Sequence, residues 1–192
     1  MEPSASVAGS KDIDAGDILA FWYKEEMSRQ WFNAKPELDE HIRQNYRGVW
    51  QHARDGELDA WLSTPQGCLA LAIVLDQFPL NMFRGEPESF STESHAIRVS
   101  KLAIDRQYDL QLPKDRLAFL YMPLMHSENM DDQNLSVSKF EAAGLEHNAR
   151  FARHHRGIVE RFGRFPHRNA ILGRESTPEE VEWLASDQAF TG

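Results

Sequence analysis

"CLALAIVLDQFPLNMFRG", residues 68–85, decides how the rest of the chain is read. Its opening run from Cys68 to Leu75 is wholly apolar, and a helix that is apolar all round is one buried on every side. Within it Leu69, Ile73, Asp76, Leu80 and Phe83 recur at spacings of four, three, four and three, which sets the Asp76 carboxylate in the middle of an apolar stripe. A buried carboxylate requires a partner. Gln77, Asn81 and Arg84 then form a polar face, provided the helix survives Pro79.

Two later stretches repeat the plan. "LAFLYMPLMHSEN", residues 117–129, and "IVERFGRFPHRNAILG", residues 158–173, also run an apolar helix into a proline and deliver polar groups just beyond it. An internal proline removes a helical hydrogen bond and clashes with the preceding turn, so each helix is expected to end or kink there; the plain alternative is that each proline starts the next helix. Three such breaks would offer three polar clusters to a common cavity.

Outward from these stretches the chain reads as helix throughout. Asp14 or Asp17 can cap a first helix, Pro36 suits the first turn of a long one that stops near Gly56, and Thr64 with Pro65 opens the central run. Gly144 and Gly163 stand where helices commonly end, and Thr177, Pro178 and Glu180 make a capping box for the last helix. Nowhere do several alternating β-branched runs occur. The expected architecture is all-α, with roughly eight to ten helices joined by short loops. Residues 1–11, "MEPSASVAGSK", read as a disordered lead, and residues 12–192 as a single helical domain.

Composition narrows the function classes. With 21 Lys and Arg against 30 Asp and Glu the formal charge is −9, which argues against nucleic acid or an anionic membrane as a general partner. The single cysteine, Cys68, excludes an intrachain disulfide and reads as a core thiol. No signal-peptide pattern or membrane-length apolar run is present, so a cytoplasmic location is expected. Charge is divided unevenly: residues 145–174 hold seven arginines against two acids, a net +5, leaving −14 on the remainder. That basic third either folds against the protein's own acidic surface or lines a pocket for an anion.

Further polar groups interrupt apolar faces. His155 shares a face with Phe151, Ile158 and Phe162, and Gln133 falls in line with Met130, Val137 and Phe140. His126, Glu128 and Asp132 are metal-ligand types, but HExxH, paired CxxC, EF-hand, glycine-rich phosphate-loop and GxSxG motifs are all missing, so no metal and no cofactor is assigned.

These residues support three readings. In the first, Arg161, Arg164, His167, Arg168 and Asn169, with Gln77, Asn81, Arg84, Asp132 and Gln133, hold a small anionic molecule or an acidic peptide, since arginine's planar fork matches carboxylate and phosphate. In the second, Asp76 or Glu128 works with His126, His155 or His167 as acid and base while Arg164 and Arg168 stabilise charge, a hydrolase-like chemistry that a metal ion could assist. In the third the network is a set of buried ion pairs that fixes helix register. Binding ranks first. Oligomeric state is not set by the sequence.

The strings "LAIVLDQFPLNMFRG", "FLYMPLMHSENMDDQ" and "IVERFGRFPHRNAILGRESTPEEVEWL", with the early "FWY" and "WF" pairs, resemble the domain of unknown function 924 family of bacteria and some eukaryotes. The likeness covers nearly the whole chain after about residue 15. It implies an all-helical fold similar to tetratricopeptide-repeat proteins, with antiparallel helix pairs stacked into a superhelix, and it implies no activity. Its motif positions here include Asp76, Gln77, Asn81, Arg84, Gly85, His126, Glu128, Asp132, Gln133, His155, Arg161, Arg164, His167, Arg168 and Asn169. Leu80 departs from it, standing where the family usually has an arginine.

Overall fold

The computed structural model describes residues 13–31, 33, 35–187 and 189, so the expected disordered lead lies outside the described residues. All regular structure among them is helical. Among the described residues no helix is long and apolar enough to cross a membrane.

Helix α1 (Ala15–Trp22) is capped by Asp14, whose side chain accepts the Asp17 N–H at 2.9 Å while Asp17 accepts the Asp14 N–H at 3.0 Å. The two candidate caps thus act together, as a capping box. A short α2 (Glu25–Ser28) precedes α3 (Pro36–Arg54), which begins at its proline and stops just ahead of Gly56, a residue at φ 79°.

The wholly apolar stretch forms the central rod. It consists of α4 (Pro65–Ala72), one π-helical turn (Ile73–Gln77) and α5 (Phe78–Met82). Residues 67–79 are all buried, and α1, α3, α6 and α7 pack around the rod. The remaining helices are α6 (Glu93–Asp105), α7 (Leu117–His126), α8 (Met130–Ala142), α9 (Glu146–Phe162) and α10 (Pro178–Leu184). Each of α6 to α9 packs against the next. A satellite core of Ile158, Val159, Phe165 and Trp183 fastens α10 to α9.

The first two prolines do not break their helices. Pro79 lies in the second position of α5, directly after the π turn, where the Phe78 N–H reaches back five residues to the Ile73 carbonyl. Having no N–H, Pro79 cannot serve the Leu75 carbonyl four residues earlier. That carbonyl instead accepts the Thr92 hydroxyl at 2.6 Å, and Thr92 Oγ1 in turn accepts the Trp50 indole N–H at 3.2 Å. Pro123 likewise sits inside α7, which continues to His126. Only the third stretch breaks: α9 ends at Gly163, at φ 70° in the left-handed region, and Pro166 opens a single 3-10 turn (Pro166–Arg168).

Candidate functional site

The three proline-marked stretches meet, even though two of them stay helical. Asp76 lies in the π turn, and the extra residue there carries both Asp76 and Gln77 inward, at 4% and 6% exposure. His126 ends α7, and its Nδ1 stands 2.8 Å from Asp76 Oδ1. At that separation the ring N–H donates to the carboxylate, which leaves the lone pair of a neutral ring on Nε2. The second carboxylate oxygen accepts the Gln77 amide at 2.6 Å. Nε2 has no hydrogen-bond partner among the described residues.

Arg168, from the third stretch, closes the other side. It is 6% exposed and lies between the rings of Phe90 and Phe165, 4.6 Å from each centroid. One Nη donates to Glu93 Oε2 at 2.7 Å and the other to the His126 carbonyl at 2.8 Å. Its Nε is buried with no partner. Burial pushes the Glu93 carboxyl up from its ordinary value, against the pull of Arg168 and His126. Asp76, Glu93, His126 and Arg168, with Leu80 and Phe90, line a cavity of about 10 Å³. This is room for roughly one water.

Two more histidines flank the cleft. The His155 ring lies 6.4 Å from that of His126 and 5.6 Å from Phe165, and its Nδ1–H donates to the Phe151 carbonyl at 2.9 Å. Burial lowers its basicity to a pKa of about 3. His167, also 5.6 Å from Phe165, is pushed down to about 4, chiefly by burial and then by Arg168. Both rings are therefore neutral near pH 7.

Glu128 belongs to a different cluster. It accepts both Nη groups of Arg174, at 2.7 and 2.9 Å, and the Phe165 backbone N–H at 2.8 Å. Burial alone would raise its pKa, but these bonds outweigh it and hold the carboxyl below its ordinary value. Arg174 also reaches Asn169, Asn169 reaches Glu180, and Arg164 forks onto Glu180 at 2.7 and 2.8 Å. With the capping box of Thr177 and Glu180, this ties the start of α10 to the loop after α9.

Other sequence-nominated residues lie outside the cleft. Arg161 pairs with Glu179, and Arg84 forks onto Asp39 while touching Asn81. Asp132 pairs with Lys101 and accepts the Ser127 hydroxyl. The Gln133 amide donates to the Met125 and Ser127 carbonyls, so Asp132 and Gln133 brace the turn that carries His126 and Glu128. Six of the seven arginines in the basic third are paired with the chain's own carboxylates, and Arg150 lies 5.7 Å from the Phe151 ring.

Sequence reasoning missed Glu93, Phe90 and Arg174. Glu93 opens an ordinary amphipathic helix, so nothing local distinguishes it; its partner Arg168 is 75 residues away. Arg174 closes the basic segment and is set apart from its other arginines only by its contacts across the loop. Among the described residues, no group of three or more His, Cys, Asp or Glu side chains is placed to hold a metal ion.

Residues 18–188 match the family model of DUF924, described as a bacterial protein of unknown function. A solved structure of a protein of unknown function from Agrobacterium tumefaciens is similar at 39% identity and a TM-score of 0.85. The similarity covers 89% of this chain and 96% of that one. No curated protein matches the chain.

Proposed function

The chain belongs to the DUF924 family, and on that premise we propose that the cleft of Asp76, Glu93, His126 and Arg168 is a proton-transfer site acting on a small polar molecule. One observation carries the reading: His126 is oriented through Nδ1 by a buried carboxylate while its Nε2 is left without a partner beside a cavity of water-like size. In this reading neutral His126 takes a proton at Nε2 from a bound water or hydroxyl, and Asp76 stabilises the imidazolium through the Nδ1–H bond. Glu93, its carboxyl raised by burial, is the second group able to carry a proton, and Arg168 offsets negative charge that develops nearby. The expected reaction class is hydrolytic.

Anion capture by the whole basic segment fits less well. Six of its arginines already have carboxylate partners, and Leu80 puts an apolar side chain on the cleft wall where an arginine would otherwise add charge. The cluster around Glu128, Arg174 and Glu180 reads as a clasp. A tetratricopeptide-like stacking of helix pairs is likewise proposed, supported by the sequential packing of α6 through α9.

The test has two parts. Imidazole nitrogen–proton correlation spectra should show His126 as the Nδ1–H tautomer, held by Asp76. An Nε2–H tautomer removes the acid–base role. In a panel of phosphate, carboxyl-ester and amide substrates, His126→Ala should lower turnover by about 10²–10⁴-fold while the helical circular-dichroism signal persists. Turnover unchanged in that variant would place the chemistry elsewhere.

A further inference from the structure

A second concavity, of about 490 Å³, shares no residue with the cleft. It lies between α1, the start of α4 and the segment leading into α7, and its floor is apolar: Leu19, Leu69 and Leu112. Tyr23, Lys24 and Arg116 also line it. The volume is that of a small-molecule site, for which roughly 300–1,000 Å³ is usual.

Arg116 is unlike the six paired arginines of the basic third. Its guanidinium carbon lies 3.7 Å from the centroid of the Tyr23 ring, so the cation stacks face-on against the aromatic surface. Its guanidinium donates no hydrogen bond to a described residue, and its one carboxylate neighbour, the largely exposed Asp115, is 4.0 Å away. Stacking occupies one face of the guanidinium and leaves its in-plane N–H fork open, the edge that meets a carboxylate bidentately. The platform is braced: the Tyr23 hydroxyl donates to the Arg116 carbonyl, and its ring meets Trp31 and Phe119 edge-on at 5.5 and 6.0 Å. Lys24 adds a second cation with no ion pair among the described residues. An arginine fork whose one carboxylate contact is long and largely exposed, and a lysine beside it, over an apolar floor, complement one kind of occupant.

We propose that this groove binds a small amphipathic carboxylate, its head group held by Arg116 and Lys24 and its alkyl tail laid on Leu19, Leu69 and Leu112. The probes are decanoate, decanol and acetate, each titrated calorimetrically into the full chain below its aggregation concentration. Decanoate should bind, with acetate and decanol at least about 10-fold weaker, since a charge-assisted bidentate bond contributes on that scale. Arg116→Ala should weaken decanoate by about 10–100-fold. Ala20→Phe, at an exposed position of α1 on the groove wall, should block the tail without disturbing the core. The proposal is overturned if decanoate fails to bind at millimolar concentration, if decanol binds as well as decanoate, or if neither variant changes the affinity. It stands independently of the His126 cleft.

Discussion

Arg168 shows how much one buried side chain can be asked to hold. It joins Glu93 of α6 to the last carbonyl of α7 while two phenyl rings exclude water from its faces. Removing one partner of a buried pair leaves the other charge uncompensated, which typically costs about 3–5 kcal/mol. Arg168→Ala is therefore expected to destabilise the fold by that amount in urea denaturation. Arg168→Lys should recover only part, because a point charge cannot serve both acceptors and lacks the planar surface for stacking. Arg168→Met combined with Glu93→Gln should lie closer to the wild type than Arg168→Ala does; a double variant as unstable as the single one would show that packing, not charge, sets the cost. At this scale the sequence was legible wherever a polar residue interrupted a hydrophobic period. Asp76, Gln133 and His155 announced themselves in that way, and all three are buried. Glu93 sits in a pattern that violates nothing, and only contact across the fold gives it significance.

The starts and stops of single helices were predicted more faithfully than their course through an internal proline. The capping boxes at Asp14 and Thr177, Pro36 at the start of α3 and the left-handed glycine after α9 are all local chemistry, and local chemistry is what a sequence displays. What Pro79 does to its helix was left open by the sequence because the answer depends on distant groups. The Leu75 carbonyl that Pro79 cannot satisfy is served by Thr92, seventeen residues on, with Trp50 completing the relay. Thr92→Val keeps the shape and removes the hydroxyl, stranding a buried carbonyl and a buried indole N–H. A loss of about 2–4 kcal/mol is expected in thermal or chemical denaturation, with Thr92→Ser close to neutral. An equal cost for valine and serine would mean that the hydroxyl is not what keeps the rod continuous. A similar dependence on a neighbour limits Gly67 in the first turn of α4, where a Cβ would come within 2.0 Å of the Trp61 carbonyl oxygen. Gly67→Ala must displace the 3-10 turn (Asp59–Ser63), and a destabilisation of at least about 2 kcal/mol is expected by the same measurement.

For the whole molecule the uneven charge resolves into internal pairing, and the property left to read is its response to acid. His155 and His167 are held neutral by burial, to about pH 3 and pH 4, whereas an unfolded histidine takes its proton near 6.5. The unfolded chain therefore binds more protons in this range, so the stabilising contribution is complete above pH 6.5 and is lost as the pH falls. At pH 5 each histidine that stays neutral costs roughly 2 kcal/mol, with less from the more exposed His167, giving about 3 kcal/mol together. Glu93 works in the opposite direction, since a carboxyl raised by burial gains its proton earlier in the fold than in the open chain. Glu180, held down to about 2 mainly by Arg164, keeps its contribution until the pH drops below the ordinary carboxylate value near 4.5. Between pH 7 and 5 the histidines consequently dominate. Stability from urea titrations should fall over that interval, and His155→Gln with His167→Gln should flatten the slope even if it lowers stability at pH 7. A slope unchanged in the double variant would move the acid response to other groups and free both rings from the neutral state that burial assigns them.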